Sequence, residues 1–270
     1  MSTLMTQPVT TTTGNSAIMN GHLLTANDRF LAGSAGKTFF AALALRLAGT
    51  GTLSLDAPVV RYLPDAAIPA FAWITPRMLL SHLSGIGEYD GAFMTSLIKE
   101  PLRPREQGDW LNVIRRNPPV RVDAGKFRYS DLNYVALAMV RDTVTPSGAY
   151  AAINTAFLQP LGLTATVPST APRIAGLVTG YDGSGSMFGR DAMMENGSLV
   201  YNPQFEYGGG GFASTPRDLR SGISGAMQVN TSDTAQLLDD GFTWLDSLER
   251  RAADRVLACP ASRRGRVAQP

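Results

Sequence analysis

A serine and a lysine stand three residues apart at the start of an apolar run. The run begins at Lys37, is rich in Ala, Leu and Phe, and stops at Gly49-Thr-Gly51. This pattern predicts a buried helix that a glycine terminates. Residues three positions apart share a helix face, so the Ser34 hydroxyl and the Lys37 ammonium are expected to meet. A serine hydroxyl stays protonated at neutral pH until a neighbour accepts its proton, and Lys37 is such a neighbour.

From these residues alone, three interpretations stay open. The first is structural, with Ser34 as a helix cap and Lys37 in solvent. The second is a phosphate loop, because residues 33–38 resemble the end of a Walker A motif. That motif needs a glycine where the chain has Leu31, and the upstream segment is too polar for a buried parallel strand. The third is nucleophilic catalysis, which requires partner residues elsewhere in the chain.

The composition is that of an ordinary globular protein. Hydrophobic residues make up 44% of the 270 residues and charged residues 17%, which is enough for a substantial core. A net charge of +2 indicates neither a nucleic acid nor an anionic membrane surface as partner. The single cysteine, Cys259, excludes an internal disulfide framework, and no apolar stretch is long enough to span a bilayer.

The two ends of the chain differ from the middle. Residues 1–20 lack a basic start followed by an apolar block, so we expect no signal peptide and a cytoplasmic location as written, unless a leader lies upstream. We predict a disordered arm over residues 1–20 and one domain over residues 21–222, whose helical part spans about residues 66–175. An arginine-rich, divergent and partly disordered tail is predicted over residues 223–270.

Two further stretches carry candidate groups on predicted helices. Thr75 as N-cap and Gly85 as terminator enclose a helix that would contain His82, which we interpret as a buried ring hydrogen-bonded to backbone rather than as a general base. Tyr129 precedes an apolar helix that begins near residue 132, and a loop held by a rigid helix suits a catalytic group. From position alone, a tyrosine ring that packs beneath the helix is the favoured alternative.

A run of four glycines, at residues 208–211, leads towards a helix start at Pro216. Backbone amides of such a run can bind phosphate. Close backbone packing is the favoured interpretation, because no lysine of the phosphate-loop type follows.

Taken together, these pieces resemble the serine β-lactamase and penicillin-binding-protein superfamily, in the branch that contains class C β-lactamases, D-alanyl-D-alanine carboxypeptidases and related esterases. The similar segments are Phe30-x-x-x-Ser34-x-x-Lys37-Thr, Gly51-Thr-Leu-Ser-Leu-Asp56, Ile74-Thr-Pro-Arg-Met-Leu-Leu-Ser-His82-Leu-Ser-Gly85, Tyr129-Ser-Asp131 and Gly210-Gly-Phe-Ala-Ser-Thr-Pro-Arg-Asp-Leu219. The resemblance covers roughly residues 28–220, and several motifs in the same order are far more specific than Ser-x-x-Lys alone. It makes nucleophilic catalysis the favoured interpretation.

The resemblance implies an α+β fold of the β-lactamase/transpeptidase type, an antiparallel sheet flanked by helices with a helical insertion. It implies that Ser34 forms an acyl-enzyme, that Lys37 activates it and that Tyr129 shuttles the proton. Whether Lys37 or Tyr129 accepts the proton stays open. A nearby ammonium favours the phenolate, and the first amides of the Ser34 helix favour negative charge at Oγ. No metal or cofactor is implied.

Two departures from the family pattern bear on activity. The second motif often ends in asparagine, whereas here it ends in Asp131, which we assign to substrate binding. A carboxylate beside Lys37 would repel an anionic substrate, which favours a neutral ester or amide. The third motif, a Lys/His-Thr/Ser-Gly tripeptide, is not found in residues 221–270. Its loss would remove oxyanion and substrate contacts.

We therefore predict a serine hydrolase that acts through an acyl-enzyme on a small ester, amide or peptide, with no nucleic-acid partner. Strand-like runs are scarce before residue 28 and after residue 220, so we expect a fold incomplete at both ends, in which the Ser34 helix has little to pack on. The alternatives are a catalytically impaired, truncated homologue with a binding role or no activity, and a nucleotide-binding domain built on Gly36, Lys37 and Thr38.

Overall fold

The computed structural model describes residues 24–182 and 187–226. Its helices are α1 (Lys37–Gly49), α2 (Pro76–Leu80), α3 (Gly91–Lys99), α4 (Gln107–Arg116), α5 (Asp131–Val144), α6 (Ala149–Ile153) and α7 (Pro216–Ala226). Its strands are β1 (Phe30–Leu31), β2 (Val167–Pro168), β3 (Met194–Glu195), β4 (Ser198–Leu199) and β5 (Phe212–Ser214). The predicted arm over residues 1–20 and most of the predicted tail lie outside the described residues, so these domain boundaries stay predictions.

Two small antiparallel sheets accompany the helices. In the first, β5 is the central strand and pairs with β1 on one side and β2 on the other. Strands β3 and β4 form a separate two-stranded ribbon. Helices and antiparallel strands in one chain agree with the predicted α+β class. Because β1 pairs with β5, the turn that follows β1 is fixed against the end of the glycine run.

Helix α1 is buried along its apolar run. Phe39, Phe40 and Leu43 are almost fully buried, and the helix packs against α5, α6 and α7. The Phe40 ring lies 5.5 Å from the Tyr150 ring of α6 and 5.6 Å from the Phe212 ring of β5, centroid to centroid. The expectation that this helix has little to pack on is therefore wrong, because neighbouring helices cover it.

The helix after Thr75 is shorter than predicted. Thr75 caps it, since its Oγ1 accepts a hydrogen bond from the Met78 amide at 3.3 Å, but the helix ends at Leu80. His82 lies beyond that end in the left-handed region, with φ of 57°, so its predicted place inside the helix is wrong. Its ring is nevertheless buried, and Nδ1 accepts a hydrogen bond from the Ser130 amide at 3.3 Å. A non-glycine residue keeps this conformation only where its surroundings fix it.

The glycine run lies between α1 and α5 at very short distances. A Cβ atom at Gly208 would overlap the Tyr134 carbonyl oxygen, and a Cβ atom at Gly36 would overlap the carbonyl oxygen of Gly210. Side chains at these positions would push the two helices apart. Close backbone packing, the favoured interpretation of this run, agrees with these contacts.

Candidate active site

Ser34 lies in a short 3₁₀ turn, Gly33–Gly36, that continues directly into α1. The turn is anchored to the sheet, because the Ala32 amide donates to the Phe212 carbonyl oxygen at 2.8 Å. The helical spacing then brings residues 34 and 37 to one face, and Lys37 Nζ donates to Ser34 Oγ at 3.0 Å. The local sequence alone is sufficient to produce this contact.

Lys37 is fully buried and has three acceptors around its ammonium. Besides Ser34 Oγ, it donates to Asp131 Oδ1 at 2.6 Å and to the carbonyl oxygen of Gly209. An ammonium has three hydrogens to donate, and each has a partner here. This geometry disagrees with two of the earlier interpretations, the one that places Lys37 in solvent and the one in which it binds nucleotide phosphates.

Tyr129 reaches the same serine from the other side of the site. Its hydroxyl donates to Ser34 Oγ at 2.7 Å, and Lys37 Nζ lies 5.1 Å from the centre of its ring. Tyr129 directly precedes α5, whose N-cap is Ser130, since Ser130 Oγ accepts from the Leu132 amide at 3.1 Å. The phenol is thus held by the start of a buried helix, in the loop position that the sequence predicted.

His82 packs against the ring of Tyr129. The two rings are stacked, with centroids 4.5 Å apart and an interplanar angle of 29°. Burial, together with the charge of Lys37, lowers the pKa of His82 to about 3, so the imidazole is neutral near neutral pH. Since Nδ1 accepts from the Ser130 amide, the ring proton is on Nε2. His82 therefore supports the tyrosine ring without adding a charge.

Two carboxyl groups that the sequence analysis did not select lie close to this group. The Asp131 amide donates to Glu88 Oε1 at 2.9 Å, and burial followed by the charge of Asp131 raises the pKa of Glu88. Burial and then the charge of Asp131 raise the pKa of Glu206 to about 7. Neither glutamate belongs to one of the family segments, although each lies close to one in the sequence. Only the folded chain shows which charged groups surround the two glutamates.

All four residues selected from the sequence therefore meet: Ser34, Lys37, Tyr129 and Asp131. Their arrangement can polarise one hydroxyl and provides two groups that can exchange a proton with it. In residues 24–182 and 187–226, no group of three or more His, Cys, Asp or Glu side chains is placed to hold a metal ion. None of the helices in those ranges is long and apolar enough to cross a bilayer.

Comparison with known families identifies the class. The family model described as Beta-lactamase matches residues 6–255, and the chain belongs to this family. It is thus a member of the serine β-lactamase and penicillin-binding-protein superfamily, as the sequence motifs predicted. The match includes parts of both terminal segments.

Among curated relatives, a putative D-alanyl-D-alanine carboxypeptidase of Escherichia coli (strain K12) is 29% identical over 171 residues. That alignment covers 62% of this chain and 37% of the relative, so the chain spans little more than a third of that protein's length.

Solved structures show the same fold. A D-stereospecific amidohydrolase from Streptomyces sp. superposes with a TM-score of 0.67 at 28% identity, covering 77% of this chain and 64% of that one. The D-amino acid amidase from Ochrobactrum anthropi SV3 gives a TM-score of 0.66 at 23% identity, with coverages of 82% and 63%. The predicted β-lactamase/transpeptidase-like fold is therefore confirmed.

Proposed function

We propose that this chain is a serine hydrolase that cleaves an ester or an amide through an acyl-enzyme on Ser34. The observation that carries the proposal is the pair of hydrogen bonds at one oxygen, from Lys37 Nζ at 3.0 Å and from Tyr129 Oη at 2.7 Å. A serine becomes a useful nucleophile when an adjacent group takes its proton, and both the amine of Lys37 and the phenol of Tyr129 lie within hydrogen-bond distance of Ser34 Oγ.

In the proposed acylation step, Ser34 Oγ attacks the carbonyl carbon of the substrate and its proton passes to a base. An ammonium in an ion pair with Asp131 is a poor proton acceptor, so we assign this role to Tyr129 as the phenolate. The bond to the leaving group then breaks, and the leaving group takes the proton from Tyr129. In deacylation, water attacks the ester on Ser34, loses a proton by the same route and restores the free serine.

The position of Ser34 at the start of a helix supports the same chemistry. The 3₁₀ turn and α1 form one continuous helical segment, so the positive end of its dipole lies at the nucleophile. Negative charge that develops on the reacting oxygen atoms is favoured at that end.

The charges around the site suggest a substrate class. Asp131, Glu88 and Glu206 lie near one buried ammonium, and this excess of carboxyl groups disfavours an anionic substrate. We propose a substrate with no negative charge beside the scissile bond. Among relatives above 25% identity, one is named a D-stereospecific amidohydrolase and one a putative D-alanyl-D-alanine carboxypeptidase. Amides of D-amino acids therefore come first in a substrate screen, followed by simple esters.

The test is acylation of the purified chain by p-nitrophenyl acetate, D-phenylalanine p-nitroanilide and a fluorescent penicillin. Ser34→Ala is the test variant, and Ser221→Ala, at an exposed serine of α7, is the matched control. We expect a covalent adduct on Ser34 by peptide mass spectrometry in the parent chain and in Ser221→Ala, and none in Ser34→Ala. An adduct of equal yield in Ser34→Ala would remove this serine from the mechanism.

A second candidate function is a catalytically impaired homologue that binds a peptide or a small ligand. It is favoured by one observation, the lack of a Lys/His-Thr/Ser-Gly tripeptide in residues 221–270. Loss of a single oxyanion donor lowers a rate by about 100- to 1000-fold. A folded sample that is not acylated but whose melting temperature rises with a D-alanyl-D-alanine peptide would support this candidate. Because the partners of Lys37 are all internal, we expect no such rise with ATP.

A further inference from the structure

The glycine run places two carboxyl groups beside the ammonium of Lys37. Lys37 donates to the carbonyl oxygen of Gly209. A Cβ atom at Gly209 would lie 3.2 Å from Asp131 Cβ, and a Cβ atom at the next residue, Gly210, would overlap the carboxylate of Glu206. Only glycine backbone therefore lies between Asp131 and Glu206. The run has no side chains that would keep either carboxyl group away from the ammonium of Lys37.

Charged and titratable groups surround Glu206 on several elements. Asp131 of α5 and Lys37 of α1 both act on its carboxyl group, as does the amide of Gly211. Besides burial, the charge of Glu206 in turn raises the pKa of three phenols, those of Tyr89, Tyr150 and Tyr201. Lys37 is the cation of this set, and it already forms an ion pair with Asp131. A charge on Glu206 therefore has no positive partner of its own among these groups.

We propose that Glu206 is a positioning residue for the reaction at Ser34, because its carboxyl group and that of Asp131 pack against the glycine run that accepts the ammonium of Lys37, and together set the net charge around that ammonium. This inference rests on the proposed function and adds a residue to it. Glu206 does not touch Ser34. It acts through the electric field at Lys37, the ammonium that donates to Ser34 Oγ.

The direction of the effect follows from the sign of the charge. Burial raises the pKa of Glu206 to about 7, so its carboxyl group is neutral in acid and gains a negative charge above that pH. A second negative charge beside Lys37 offsets part of the positive charge that favours a developing oxyanion at Ser34. Neutral Glu206 therefore favours acylation of Ser34, and ionised Glu206 opposes it.

The first test is the rate of Ser34 acylation by p-nitrophenyl acetate at about pH 6 and about pH 8. We expect Glu206→Gln to raise the rate at the higher pH by about threefold to tenfold over the parent chain, and to change it little at the lower pH, where Glu206 is mostly neutral. Glu206→Asp keeps the carboxyl group and should stay close to the parent chain at both pH values. Glu195→Gln makes the same charge change at an exposed side chain and should leave both rates unchanged.

The second test is the full pH profile of the same acylation. The ratio of the Glu206→Gln rate to the parent rate should rise across a midpoint near pH 7, where Glu206 of the parent chain gains its charge. No acylation in any variant would contradict the proposed function, and the carboxyl titration described next then tests Glu206 by itself. Acylation with identical profiles in the parent chain and in Glu206→Gln would contradict the role of Glu206 alone.

A measurement on the unsubstituted side chain covers the case in which Glu206→Gln fails to fold. The ¹³C signal of the Glu206 carboxyl carbon, assigned through its backbone correlations, should titrate with a midpoint near 7. A midpoint near its ordinary value of 4.5 would show that the group is already charged throughout the working range, and would overturn the inference.

Discussion

Tyr129 Oη lies 2.7 Å from Ser34 Oγ, although 95 residues separate them in the chain. Ser34 is positioned by the start of α1 and Tyr129 by the start of α5, so the contact depends on how these two helices pack. The glycine run lets both helices approach one backbone segment closely. The buried Arg141 of α5 donates from Nη1 to the Phe40 carbonyl oxygen of α1 at 2.6 Å. The geometry of the candidate site therefore depends on how this helix pair packs.

Replacing Tyr129 with phenylalanine tests whether the phenol is the proton acceptor. The ring and its stack on His82 are kept while the hydroxyl is removed. We expect the rate of Ser34 acylation to fall by about 100- to 10,000-fold, which is the usual contribution of a general base, with little change in melting temperature. Stopped-flow release of p-nitrophenol measures the rate. A fall of less than about threefold would transfer the role to Lys37.

Asp131→Asn tests the charge that departs from the family pattern. Lys37 keeps an oxygen acceptor at this position, but the negative charge is lost. We expect acylation by an anionic penicillin to rise relative to acylation by neutral p-nitrophenyl acetate, by about tenfold, which corresponds to about 1.4 kcal/mol. The ratio of the two second-order rate constants is the measurement, and Asp65→Asn, at an exposed aspartate, is the control. An unchanged ratio would show that Asp131 does not select against anions.

His82 should make the protein less stable in acid. Its pKa is about 3 in the folded chain and about 6.5 in the unfolded chain, so the unfolded chain binds the proton first as the pH falls. The stabilisation is complete above pH 6.5 and is lost between about pH 6.5 and pH 3, at up to about 1.4 kcal/mol per pH unit. The free energy of unfolding, measured with urea at pH 7 and pH 4, should fall less in His82→Asn than in the parent chain. Asparagine is the replacement because it tolerates the left-handed backbone. Equal losses of unfolding free energy in the two proteins would show that His82 is not the cause of the lower stability in acid.

A pair of glycine substitutions tests the close packing at the nucleophile. In Gly36→Ala the new methyl group would overlap the Gly210 carbonyl oxygen, and we expect the free energy of unfolding to fall by about 1–3 kcal/mol. Gly108→Ala, within α4, meets no atom within 4 Å and should be neutral or stabilising by up to about 1 kcal/mol. Urea unfolding of both variants measures the difference. Equal effects would mean that helix propensity, and not overlap, decides the result.

Local patterns predicted much of the fold. The apolar run with its glycine terminator predicted α1, and the Thr75-Pro76 pair predicted the start of α2. Those signals depend on residues within a turn or two of each other. The end of α2 was missed because the left-handed turn at His82 is fixed by hydrogen bonds from Ser130 and Asn133, about 50 positions away. No pattern near His82 contains that information.

The sequence by itself determined that Ser34 and Lys37 meet, because helical spacing puts residues three apart on one face. It also determined that Tyr129 lies in the loop before α5. Only the tertiary structure decided that Tyr129 reaches Ser34 and that Lys37 donates to Gly209, 172 positions further along the chain. The tertiary structure also decided which charged groups interact near the site, since Glu206 interacts with Asp131 and Lys37 only after the helices and the glycine run have packed. Contacts of this range follow from the packing of whole elements, which short sequence patterns do not encode.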